Sequence, residues 1–364
     1  MASSNNINVF NVKDYGALGN GRTDDTTAIN ETIAAAKTQY GGIIYFPHGV
    51  YSYSTQLSVE NCIGLTFRGE YDPTGMSTDI PSSDFQSQHT MPTTLMYTGS
   101  GVITAMTFKN SEGIRFENLC LSWDSSSFAG YLMDWTGSTN VGMSQCFVQC
   151  VYGAIQTSPA ALLKIDECFL FDCQRCWFCG GQYSVIGRLG AGDASKASNI
   201  QFMECSFAEY AKISILNPDR CWLFQSCHWE PNSSNNAGAI GFNDGLPSQC
   251  LSVIGCYLCD TGEGSTGPWI GLISGCQATL ISGCSFTSPS LSANIGVLSN
   301  GIQGLVVSAC LFGASSKYAA QYTPTAIDFG TTTGHKEFNW FGNAYSTDLT
   351  RPINGAPPTG SLIN

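Results

Sequence analysis

Charged side chains are scarce in this chain. Asp, Glu, Lys and Arg together make up 12% of its 364 residues, about half the usual share for a soluble domain. Basic residues number 15 against 27 acidic ones, for a formal net charge of -12. That balance, with no basic run to offset it, argues against binding to nucleic-acid phosphates or an anionic membrane, and an acidic polymer substrate would need a local basic patch. Long apolar runs are also missing, and none approaches the ~18 residues of a membrane span. The opening Met1-Ala2-Ser3-Ser4-Asn5-Asn6 has no basic region followed by an apolar stretch, so no signal peptide is expected in the chain as given. Histidines number four. None lies near Cys173, Cys176 and Cys179 in sequence, the one zinc-like spacing, so the expectation is no metal and no cofactor.

In place of charge the chain has 40 Gly, 12% aromatics and 17 Cys, a composition suited to a β-rich fold with a surface of small polar residues. One pattern recurs: apolar residue, gap, apolar residue, two-residue bend, Cys, gap, apolar residue. It runs from Val141 to Val148, Leu163 to Leu170, Ile200 to Phe207, Trp222 to Trp229, Leu251 to Leu258, Thr279 to Phe286 and Leu305 to Phe312. The aligned Cys fall at 146, 168, 205, 227, 256, 284 and 310, and Leu119 and Asn343 hold the place in weaker copies at the ends. Each unit supplies two short alternating strands, too little to bury an apolar face alone, so successive units must stack into an all-β solenoid. The repeated Cys points inward as a small apolar residue. Rungs ~4.8 Å apart could not all pair and the total is odd, so the thiols are expected to be mostly reduced.

Ahead of the repeats, Gly16, Gly19 and Gly21 permit tight turns. Asp24 or Asp25 can cap a helix whose apolar face is Ile29, Ile33 and Ala36. The helix plugs the open end of the solenoid, and Ile43 to Phe46 begin the first coil. The expected organisation is therefore a motif and capping helix over 1–40, coils over 41–345 and a tail over 346–364. Insertions fall near 70–93, 180–199, 230–249 and 260–269, and loops projecting on one side could wall a groove.

The segments Val9-Phe10-Asn11-Val12-Lys13-Asp14-Tyr15-Gly16-Ala17-Leu18-Gly19-Asn20-Gly21, Thr23-Asp24-Asp25-Thr26-Thr27-Ala28-Ile29 and Gly41-Gly42-Ile43-Ile44-Tyr45-Phe46-Pro47 closely resemble the N-terminal motif of the pectate-lyase-like superfamily of right-handed parallel β-helices. Bacteriophage tailspikes, polygalacturonase-like glycosidases and alginate epimerases belong to it. Asn20 stands where the family usually has Asp. The resemblance implies a right-handed parallel β-helix with a short N-terminal capping helix. Most like a tailspike depolymerase, the chain would act on a polysaccharide as a homotrimer with parallel axes, in a virion or an extracellular setting. It does not imply a reaction, since the motif caps members with different chemistries, and neither the acidic motif of the epimerases nor the paired-Asp motif of the polygalacturonases is present.

Candidate catalytic groups come from counting offsets from the repeat Cys. Asp172 falls at 168+4, Glu209 at 205+4, Asp260 at 256+4 and Glu230 at 227+3, a row of acids along one edge after the second strand. Adjacent coils would hold carboxylates ~5 Å apart and alternate coils ~10 Å apart, close to the ~5–5.5 Å of retaining and ~6.5–9.5 Å of inverting glycosidases. Crowding would raise one of the pKa values and create a general acid. Glu167 and Glu204 occupy the bend and are read as structural. Arg175, Trp177, Lys212, His228, Tyr257 and Trp269 are the candidate substrate-binding residues, with Tyr183 and Arg220 nearby; His89 lies in the first insertion. Aromatic faces suit sugar rings, the cations suit an acidic sugar, and Lys212 or His228 would serve as base in a lyase. Hydrolysis by a carboxylate pair is favoured over β-elimination, and the rival of another class is a non-catalytic glycan-binding or structural spike.

Overall fold

A computed structural model of the chain describes residues 8–70, 93–100, 104–124, 130–150, 160–189, 197–208, 212–230, 238–259, 268–287, 294–298, 300–313, 325–331, 333–345, 351–355, 357 and 361–363. Each coil contributes one strand to each of three sheets, and every strand pair among the described residues is parallel, forming a right-handed parallel β-helix. Sheet A has 13 strands, from Val9–Asn11 to Leu362–Ile363. Sheet B has 12, from Asn20–Asp24 to Ala344–Tyr345, and sheet C has 11, from Leu57–Ser58 to Arg351–Asn354. The β-helix thus begins one coil earlier than the Ile43 strand, because Val9–Asn11 already pairs with that strand in sheet A. The described residues of the expected tail add strands to sheets C and A.

The core is built from inward rows that stack from coil to coil. Phe67 lies 4.6 Å from Phe116 at 2°, Phe202 lies 5.4 Å from Phe224 at 7°, and Phe286 lies 4.8 Å from Phe312 at 7°. Identical offsets place rings face to face, a geometry that adds to burial in holding register.

Register corrects one member of the cysteine row. Phe147 pairs with Trp177 and Trp177 with Ser206, so the residues just before them, Cys146, Cys176 and Cys205, share the corner between sheets A and B. Cys168 instead follows the turn leading into the Phe169–Gln174 strand of sheet A. With Cys176 in place, the uneven steps around Cys168 become 30 and 29 residues.

The corner explains why a cysteine is used. The residue before it is left-handed in coil after coil, including Gln145, Arg175, Glu204, Ser226 and Ala309 at φ 52–54°, a conformation that costs a non-glycine residue ~1 kcal/mol or more. Each buried thiol donates back to the carbonyl two residues earlier, at 3.3 Å for Cys205, Cys256 and Cys310. Several also donate to a carbonyl of the previous coil, Cys227 to Phe202 at 3.3 Å and Cys284 to Val253 at 3.3 Å. In the last copy Asn343 does the same work, donating to the Val307 carbonyl at 3.0 Å and accepting from the Cys310 amide at 2.9 Å. The carbonyls two residues earlier also accept backbone amides, Met203 from Arg175 and Ile254 from Ser226, so the thiol bonds add to a satisfied ladder, and Leu119, fully buried, fills the same corner in the first copy.

Helix α1, Thr26–Thr38, covers the N-terminal end with Ile29, Ile33 and Ala36 buried. Asp25 sits at its N-cap but accepts instead from the Leu18 and Gly19 amides at 2.7 and 3.1 Å, holding the glycine turn. Asp24 receives the Thr26 amide at 2.9 Å and the Thr26 and Ser54 hydroxyls. Burial opposes its charge, but these hydrogen bonds prevail and hold its carboxyl below the ordinary value. Asn20 accepts from the Arg22 and Thr23 amides at 2.9 Å, which an Asp could do equally.

Candidate functional site

The corrected register divides the acid row. Asp172 lies on the outer face of sheet A, in a row with Arg115, Gly142 and Gln201, away from the end of sheet B where Glu230 closes the His228–Glu230 strand. Glu209 and Asp260 lie outside the described residues. Each directly follows a described neighbour of the row: Ala208 pairs with Glu230, and Cys259 ends the next strand of sheet B.

Asp172 is held in a salt bridge. Arg115 reaches over Gly142 to place Nη1 2.7 Å from Asp172 Oδ1, while its Nη2 donates to Asn140 at 3.0 Å. A Cβ on Gly142 would stand 2.1 Å from the Asp172 carbonyl and 2.6 Å from the guanidinium, so only glycine leaves the bridge its path. Arg68 pairs with Glu117 and Arg175 with Glu204, both at 2.7 Å. The candidate ligand residue Arg175 is thus engaged at the corner with the acid read as structural.

The outer face of sheet B is different. One row runs Phe147, Trp177, Ser206, His228, Tyr257, Ser285 and Leu311. His228 is half-buried, 5.3 Å from the Tyr257 ring at 21°, with Nδ1 3.5 Å from the Ser206 hydroxyl. Its Nε2 is shielded from solvent and has no hydrogen-bond partner among the described residues. Burial lowers the imidazole pKa and Glu230 pulls it the other way, with burial prevailing, so the ring is neutral at neutral pH. Tyr257, 42% exposed, accepts from Thr287 at 3.2 Å. That hydrogen bond favours the phenolate, but the Cys259 thiol, burial and Glu230 outweigh it, and the phenol stays protonated. Glu230 forms no ion pair among the described residues and is partly accessible. A carboxylate, a neutral imidazole and an exposed phenol thus share two adjacent coils.

Lys212 stands at the entry to sheet C, exposed, its Nζ 5.5 Å over the Tyr183 ring. Its amide donates to Gln182 at 3.0 Å. Trp177 packs edge-on against Phe147 at 5.1 Å, beside Cys120 and Cys179, and is only partly accessible. Trp269 is a correction: it is 1% exposed and belongs to the main core, so it cannot meet a substrate. Trp222 is core, as its inward offset requires. Arg220 opens the sheet A strand Arg220–Gln225, away from the sheet B row. His89 lies outside the described residues. Ser206 and Thr287 are additions to the site; their positions one and three residues past the repeat Cys were the signal that could have found them. A buried network of Arg188 with Asp219 at 3.0 Å and Asp244 at 2.6 Å, and of Asn217 with Asn243, ties three turns between sheets C and A. It had no sequence signal, being assembled from residues outside the repeat pattern.

A family model described as rhamnogalacturonase A/epimerase, pectate lyase-like, matches residues 9–243. The chain belongs to this family. Among curated relatives, mannuronan C5-epimerase AlgE3 of Azotobacter vinelandii is 56% identical over 45 residues, 12% of this chain and 2% of that protein. Alginate lyase 7 of the same organism is 53% identical over 45 residues, 12% of this chain and 5% of that protein. Among solved structures, Geobacillus virus E2 ORF18 aligns with a TM-score of 0.63 at 17% identity, covering 96% of this chain and 60% of that chain. The Dettilon tailspike protein aligns at 0.60 and 12%, covering 98% and 68%. The Streptococcus pneumoniae surface adhesin PfbA aligns at 0.59 and 14%, covering 97% and 94%. At these identities the structural likeness establishes the fold. No helix among the described residues is long and apolar enough to cross a membrane.

Proposed function

We propose that the chain is a polysaccharide-degrading enzyme, a depolymerase of a bacterial capsular or surface polysaccharide, with its site on the outer face of sheet B. The observation that carries this reading is Glu230, an accessible acid without an ion pair among the described residues, set beside the Tyr257 platform in a family of polysaccharide-acting name. Glu230 acts as one member of a carboxylate pair, with Glu209 of the preceding coil or Asp260 of the following one as its partner. A short carboxylate separation would suit retaining hydrolysis and a longer one inverting hydrolysis. Tyr257 offers its face to a sugar ring and Lys212 meets an acidic substituent.

A second reading is favoured by one observation: His228 is kept neutral by burial, as the base of a β-elimination must be. The tailspike-like fold supports assembly as a homotrimer in a virion or at a cell surface. The test is a panel of bacterial and plant polysaccharides assayed for new reducing ends and for ultraviolet-absorbing unsaturated ends. Reducing ends alone support hydrolysis, unsaturated ends elimination, and binding with neither a non-catalytic glycan-binding spike.

A further inference from the structure

Of the seventeen cysteines, fourteen are buried, Cys259 is intermediate, and two are exposed, Cys221 and Cys250. The two exposed thiols are neighbours. Arg220 bridges Gln249 in parallel register, and the Cys221 amide donates to the Gln249 carbonyl at 2.8 Å, so Cys221 and Cys250 follow as stacked positions of adjacent coils. Both have left-handed backbone, φ 53° and 59°, and their side chains therefore leave the backbone in the same direction. Burial, and then Cys250, push the Cys221 thiol up, with Arg220 pulling it down.

We propose that Cys221 and Cys250 form a reversible dithiol site, oxidised by low-molecular-weight disulfides of the glutathione class to a disulfide between coils. The Cys221 thiolate attacks one sulfur of the oxidised reagent, whose S–S bond breaks to release one reduced thiol and leave a mixed disulfide. The Cys250 thiolate then attacks the Cys221 sulfur and releases the second reduced thiol, the two cysteine protons ending on the two departing molecules. Stacked strands hold the Cα atoms ~4.8 Å apart, inside the ~4.4–6.8 Å range of disulfides, while the Cβ atoms must lean together by about 1 Å to reach ~3.8 Å. An exposed and slightly strained disulfide is the readily reduced kind, which makes the site reversible. The loop it closes, residues 222–249, contains His228 and Glu230, so oxidation fastens the coil that bears them to its neighbour. The corner thiols, buried and engaged as donors, do not compete.

The folded, reduced protein is exposed to oxidised glutathione, freed of reagent, and examined by native thiol titration, by peptide mass mapping without reduction, and by thermal melting. The wild type is expected to lose its two fast thiols, to yield a Cys221–Cys250 linked peptide, and to melt several degrees higher, the rise being reversed by dithiothreitol. Cys221→Ser and Cys250→Ser should each carry one glutathione on the remaining thiol and show no rise. Separate glutathione adducts on both cysteines of the wild type, two thiols that stay free, or a linked peptide from another pair would overturn the proposal.

Discussion

The outer faces of sheets A and B use the same residue types in opposite ways. On sheet A and its corner, Glu117, Asp172 and Glu204 each face an arginine one or two coils away, at 2.7 Å in all three cases. On sheet B, Glu230 has no cation in contact among the described residues, and its neighbours are a neutral imidazole and an exposed phenol. In a solenoid, each outward offset becomes a ladder, and what fills the next rung decides the role of an acid. An arginine on the next rung makes the acid part of the scaffold. A polar aromatic there leaves the carboxylate available to a ligand.

The sharpest way to break this contrast is to neutralise one acid from each face. Glu230→Gln should lower depolymerising activity by roughly 10²–10⁴-fold, the usual worth of a positioned acid or base, with an unchanged melting temperature. Asp172→Asn should keep full activity per folded molecule. Next in size is Gly142→Ala, which puts a methyl group into the path of the Arg115 bridge. A cost of about 1–3 kcal/mol in chemical denaturation is expected, as for other overpacked sites, with activity retained.

If His228 is the base, the acid limb of the kcat/KM profile should lie below pH ~6.5, because burial lowers its pKa and the ring stays neutral into mild acid. His228→Ala should remove that limb. The capping helix provides a pH effect unrelated to catalysis. Asp24 has a lowered folded-state pKa, so its contribution is complete above its unfolded value of ~4 and is lost as pH falls through the lower folded value. Asp24→Asn should flatten the fall in melting temperature over that window. The smallest effect is the stability change in Asp172→Asn: both partners of its bridge are about a third or more exposed, and such pairs contribute ~0–1 kcal/mol.

The fold was readable because a repeat states the same burial pattern many times, and errors in single copies average out. The place of Asp172 was less readable because it depended on one copy. Between 168 and 179 four cysteines compete for the corner, and the copy from Leu163 to Leu170 spans the turn that enters sheet A. Choosing it moved Asp172 from sheet A to the end of sheet B. Trp269 misled for another reason: it lies in an insertion, where no offset from a repeat cysteine tells inside from outside, and the wall of sheet C closes over it. His228, Glu230 and Tyr257 each lie within three residues of a true corner cysteine, too close for register to slip, and all three fall on sheet B.

The most direct test of where the site lies is a crystal structure of Glu230→Gln with an oligosaccharide of the polysaccharide that the wild type cleaves. The account predicts a sugar ring on Tyr257, with the residue 230 amide at hydrogen-bond distance from a glycosidic oxygen. An oligosaccharide seated instead on sheet A over Arg115 and Asp172, leaving Tyr257 bare, would contradict it.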